Sequence, residues 1–173
     1  MPTANARKGS ETERMVAKYL RTWWPAADRR LREGRNDDQG DIDGVPFTTI
    51  QIKYVAQNRY AMWVIDTVRQ RDRAGNPLCL LIRRTPRKPV EEWEALMPTL
   101  GYPEEEVWTW TRMDLRLAVD ILGTKIKAEE MSRVSWAQSS LTTSTDSILA
   151  PRGKEVPLSV PSTGREIPPS RTT

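Results

Sequence analysis

Apolar positions between Ser10 and Trp24 recur at helical spacing, with Val16, Leu20 and Trp23 on one face and Met15 and Tyr19 beside them. Ser10 and Glu13 form an S-x-x-E capping box that predicts where this helix starts, and Pro25 predicts its end. Glu13 lies one turn before Val16 on the inward edge of the stripe, so it is either a cap residue only or an acid facing a site beneath the helix. From Asp28 to Glu33, DRRLRE reads as a short basic strand, and GRNDDQG after it has the composition of a loop. The pattern then changes period. In GDIDGVPFTTIQIKY, residues 40–54, Ile50, Ile52 and Tyr54 alternate with Gln51 and Lys53, which predicts a strand with two polar side chains on one face. The break at Gly44, Val45 and Pro46 is short enough to fold Asp41–Asp43 back antiparallel, setting Asp41 opposite Ile50 or Gln51. Asp43, before a glycine, fits turn chemistry better than a site.

A second helix is expected over Gln57–Arg73 on the line Tyr60, Val64, Val68, closed by Gly75, Asn76 and Pro77. LCLLI at 78–82 reads as a buried central strand, with Cys79 as a small core residue. The spacing next suggests a short acidic helix over Val90–Leu96 and a strand VWTW at 107–110. A helix capped by Thr111 carries Leu115, Ala118, Val119 and Leu122 and stops at Gly123. Beyond about Trp136, Ser, Thr and Pro replace apolar periodicity, and such a segment is expected to be disordered. The expected organisation is a flexible N-terminus over 1–9, one domain over 10–135 and a disordered tail over 136–173.

Composition narrows the chemistry. With no histidine and a single cysteine among 173 residues, histidine-based nucleophile systems, zinc fingers and disulfide frameworks are excluded. Any hydrolysis must run on carboxylates, amides, lysine and a hard cation. No apolar run approaches the roughly 20 residues that span a bilayer, so a soluble, cytoplasmic protein without a membrane partner is expected. The net charge of +4 is unevenly distributed. Residues 1–90 hold 18 Lys/Arg against 10 Asp/Glu, net +8, and residues 91–131 hold 4 against 10, net −6. The basic half is the half with the motif, and it suits either a polyanionic partner or a merely solvated surface. Of the seven tryptophans, Trp24 at a helix end is the one expected to be exposed.

Lys8-Gly9-Ser10-x-x-Glu13-Arg14, the basic strand, Gly40-Asp41-Ile42 and Gln51-Ile52-Lys53, taken as an ordered set over about Arg7 to Arg84, resemble the PD-(D/E)-x-K nuclease superfamily. Within it the spacing is similar to archaeal-type Holliday junction resolvases, and a phage-encoded member suits so small a chain, which would place it in the host cytoplasm. The resemblance implies an α/β restriction-endonuclease-like fold, a mixed central sheet flanked by helices. It implies Mg²⁺-dependent cleavage of DNA, with Mn²⁺ as a substitute, by a homodimer acting on branched or four-way junctions. Carried over by position, Asp41 would be the central metal ligand, Glu13 the acid from the first helix, and Gln51 and the main-chain carbonyl of Ile52 further ligands. Lys53 would orient or deprotonate the attacking water. Arg7, Lys8, Arg14, Arg30, Arg32, Arg35, Arg83 and Arg84 would contact DNA. Two positions depart from the pattern: Gly40 stands where the superfamily's name has proline, and Gln51 where a carboxylate is usual. An uncharged amide should hold Mg²⁺ more weakly. Alternatives are a nuclease for ordinary duplex, of restriction or transposase type, and an inactive DNA-binding accessory protein with the same fold.

Overall fold

The alternating stretch at residues 48–53 becomes the centre of a six-stranded sheet in the computed structural model, which describes residues 4–30, 39–55, 57–99, 104 and 106–146. The chain divides into two units, Met1–Val134 and Ser135–Thr173. The elements are α1 (Ala4–Leu20), β1 (Asp28–Arg29), β2 (Ile42–Asp43), β3 (Thr48–Lys53), α2 (Tyr60–Ala74), β4 (Leu78–Arg83), β5 (Glu94–Pro98), β6 (Trp110–Asp114) and α3 (Leu115–Asp146). Strand order in space follows strand order in sequence. Every neighbouring pair is antiparallel except β3 and β4, which run parallel with Gln51 beside Leu81 and Lys53 beside Arg83. A parallel pair needs a crossover, and α2 supplies it.

Strand alternation sends successive side chains to opposite faces, and two cores result. On one face Ile50, Ile52, Leu80 and Ile82 pack with Val16 and Leu20 of α1 and with Leu115, Val119 and Leu122 of α3. On the other, Leu81 and Leu96 pack with Trp63, Val64 and Val68 of α2. Gln51 and Lys53 therefore sit on the α2 face, Gln51 buried and Lys53 half-buried at the strand's end. The mixed α/β architecture, with helices on both faces of a mixed sheet, agrees with the expected class at that level.

Several boundaries differ from expectation, each for a physical reason. The N-terminus is not loose from residue 4 on: α1 begins at Ala4, so Ser10 is inside the helix and caps nothing. The chain leaves α1 at Leu20 through turns in which Trp23 and Trp24 both donate to the Leu20 carbonyl. Trp23 is exposed and Trp24 only half-buried, while Trp108 and Trp136 stand out furthest, at 67% and 74% exposure. The expected acidic helix over 90–96 shrinks to one 3₁₀ turn, Val90–Glu92, and the following Glu94–Pro98 is a strand. Its alternate residues Ala95 and Met97 face one core and Leu96 the other. Likewise VWTW is mostly a 3₁₀ turn, the strand starts at Trp110, and Thr111 lies within it. The cap of α3 is Asp114, whose carboxylate accepts from the Leu117 amide at 2.8 Å. Gly123 does not stop α3, which continues to Asp146. The expected tail over 136–173 is thus helical over its first eleven positions, and residues 147–173 lie outside the described ones.

Candidate active site

Two glycines set the path of the chain around β2, Gly40 before it and Gly44 in the turn that returns it onto β3. Gly44 has φ +79°, and a Cβ there would stand 2.0 Å from the Ala26 carbonyl oxygen. Gly40 has φ +111°, which no proline can adopt. Ile42 pairs with Ile50, which sets Asp41 opposite Gln51, and the Asp41 amide donates to the Ile50 carbonyl at 2.7 Å.

Asp41 and Gln51 are both buried, and they meet. Gln51 Nε2 donates to Asp41 Oδ2 at 2.6 Å, and the same oxygen accepts from the Ile52 backbone amide at 2.7 Å. Gln51 Nε2 also lies 3.5 Å from the Ile52 carbonyl oxygen. Gln51 Oε1 is buried without a hydrogen-bond partner. An unsatisfied buried acceptor costs about 1–3 kcal/mol, a cost that a donor or a cation at this oxygen would relieve. The Gln51 group turned to Asp41 and the Ile52 carbonyl is its NH₂; with the amide turned over, Oε1 would join those oxygens in an all-oxygen donor set of the kind hard divalent cations take, and in that respect the residues fit Mg²⁺.

Glu13 is differently engaged. Its carboxylate is bonded and ion-paired to Arg29 of β1, so the acid expected from the first helix already has its counter-charge. Among the described residues no three His, Cys, Asp or Glu side chains group closely enough to hold a metal. Lys53 follows two positions after Gln51 on the same strand face and is half-buried. Tyr54, expected on the apolar face, is instead exposed at 37% just past the strand's end, where the Arg84 guanidinium lies 4.5 Å over its ring.

The expected DNA contacts separate into three groups. Arg30 is ion-paired with Asp43 at 3.1 Å and donates to Gln39, and Arg83 is ion-paired with Glu94 at 3.3 Å. Both are thereby held by acids within the fold. Lys8 and Arg14 are exposed on α1. Arg84 donates to Thr12 at 3.1 Å, which brings this end of α1 to the C-terminal ends of β3 and β4. The side chains of Arg7, Arg32 and Arg35 lie outside the described residues. Sequence reasoning missed the cluster beside Lys53, in which Glu94 accepts from Tyr60 and binds both Arg83 and Arg112. Burial, and then this bond to Glu94, push the Tyr60 phenol above its usual pKa. The signal available was weak, because the segment holding Glu94 reads as helical until its strand pairing is known. No protein-family model, curated protein or solved structure matches this chain.

Proposed function

We propose that the chain is a Mg²⁺-dependent endodeoxyribonuclease acting on branched DNA, of the Holliday junction resolvase type, in a restriction-endonuclease-like fold. What supports this most is the convergence of Asp41, Gln51 and Ile52, with a buried Gln51 oxygen left without a partner. Asp41, Gln51 Oε1 and the Ile52 carbonyl would hold the cation, with Mn²⁺ as its substitute. When bound, Mg²⁺ supplies Lewis acidity and a more acidic water. Lys53, on the same strand face as Gln51, orients that water and offsets charge on the phosphate under attack. A well-placed group of this kind contributes about 10²- to 10⁴-fold. Two copies acting as a homodimer would place two such sites across a four-way junction.

The test is a cleavage assay on a panel of four-way, flapped and linear DNAs with Mg²⁺ and with Mn²⁺. Wild-type protein nicks the junction, while Asp41→Ala and Lys53→Ala bind it and do not cut. Binding without cutting under either metal would overturn the enzyme reading. Preferential cutting of linear duplex would move the function to a restriction or transposase-type nuclease. One observation favours a second reading, an inactive DNA-binding accessory protein: the Glu13 carboxylate is neutralised by Arg29.

A further inference from the structure

We propose that the side-chain amide of Gln51 is a two-position latch, whose NH₂ group holds the site in the absence of a cation and whose Oε1 turns inward when a divalent cation enters beside Asp41. The proposal rests on the reading of Asp41, Gln51 and Ile52 as a metal site.

Gln51 Nε2 stands 2.6 Å from Asp41 Oδ2 and 3.5 Å from the Ile52 carbonyl oxygen, so its protons face both oxygens that would ligate the cation. The NH₂ group takes the electrostatic place of the metal. The orientation is fixed by hydrogen bonding: turned over, Oε1 would face the Asp41 carboxylate oxygen at a similar separation, acceptor against acceptor. The arrangement carries a cost, because Oε1 is left buried and unpartnered. A cation reverses the balance. It gives Oε1 a partner and removes the need for the NH₂ group at Asp41. The motion is a rotation about the terminal amide torsion, which is broad and roughly two-fold, so no backbone change is required. The Ile52 amide, 2.7 Å from Asp41 Oδ2, keeps the carboxylate aimed in both positions.

This gives Gln51 a purpose that a carboxylate at the same position would not serve. Gln51→Glu would set two like charges together in the metal-free protein, whereas the amide lets the empty site close on itself. The latch lowers affinity in return, since each cation must displace an internal donor.

The experiment is a Mg²⁺ titration of ¹⁵N-labelled full-length protein, following side-chain amide resonances, with the Gln51 pair identified by its absence in Gln51→Glu. Without metal, the Gln51 protons should be protected from solvent exchange by their bond to Asp41. With Mg²⁺ the pair should shift saturably and exchange faster, and Gln51→Glu should bind Mg²⁺ about tenfold tighter or more. Mn²⁺ broadening of the Ile52 amide locates the cation without relying on a variant. If Mn²⁺ broadens Ile52 while the Gln51 pair stays protected, the latch is wrong and the metal site stands. If neither metal produces a saturable change, both fall.

Discussion

At Cys79 burial dominates the chemistry. The thiol lies in the α2-side core, and desolvation pushes its pKa up to about 12 despite the nearby Arg71 charge. It should therefore resist a thiol reagent at pH 8 in the native protein and react as soon as the chain is unfolded, which a labelling time course with and without denaturant checks. The sign of the linked pH effect follows. The folded thiol keeps its proton when the unfolded one loses it, so the contribution to stability is complete below about pH 9 and is lost as pH rises toward 12. At this scale much was legible in the sequence. Cys79 as a core residue and the Asp41–Gln51 convergence both follow from strand alternation, a local rule. The Glu13–Arg29 pair was not legible, because it joins α1 to β1 and the position of β1 against the helix is tertiary information.

The elements were legible where a periodic stripe met a backbone stop. Helix α2 ends at Gly75, whose left-handed φ of 65° and amide bonds back to Arg71 and Asp72 close it as expected. Gly123 offers the contrary case: it carries the residue type of a stop but lies inside α3, because Ile126 one turn later is also buried in the core and holds the helix on course. The two glycines Gly44 and Gly123 should thus respond oppositely to alanine. At Gly44 the added carbon would lie 2.0 Å from a carbonyl oxygen in a left-handed conformation, so Gly44→Ala should cost about 1–3 kcal/mol or more. At Gly123 nothing lies within 4 Å of the added carbon, and Gly123→Ala should stabilise by about 0.5–1 kcal/mol. Denaturant melts of the two variants read both signs. Strand β5 escaped the sequence because Glu91, Glu92 and Glu94 around Trp93 imitate a helix start, and only pairing with β4 and β6 selects the extended form.

For the whole molecule, the charge partition resolves into internal matching. Acids of the acidic segment take up cations of the basic one: Glu94 holds Arg83, and Glu104 is paired with Arg71. Burial works against the charge on Arg71, yet its bonds to Glu104 and Asp72 raise its pKa above the ordinary arginine value. On the proposed reading, the described cations without an ion pair among those expected to contact DNA or to act beside Asp41 are Lys8, Arg14, Lys53 and Arg84. If these four neutralise phosphates, the logarithm of DNA affinity should fall with the logarithm of salt at a slope of about −3.6, steeper if Arg7, Arg32 or Arg35 also take part. A binding titration at several salt concentrations measures this, and a flat response would count against DNA. No helix of the described residues is long and apolar enough to cross a membrane.

The single parallel pair has a consequence for how the molecule comes together. β1 to β3 and β4 to β6 are two antiparallel meanders whose neighbours are mostly close in sequence, and β3 meets β4 across residues thirty apart, as in Thr48 and Leu78. Closing that seam is the step that waits on loop entropy and on α2. Asp41, Gln51 and Ile52 all belong to the first meander, whereas Arg83 and Arg84 belong to the second. The cluster of Asp41, Gln51 and Ile52, with Lys53 beside it, can thus assemble locally during folding, but Arg83 and Arg84 join it only when the seam shuts, so a half-folded chain would hold these oxygens without the arginines of the neighbouring strand.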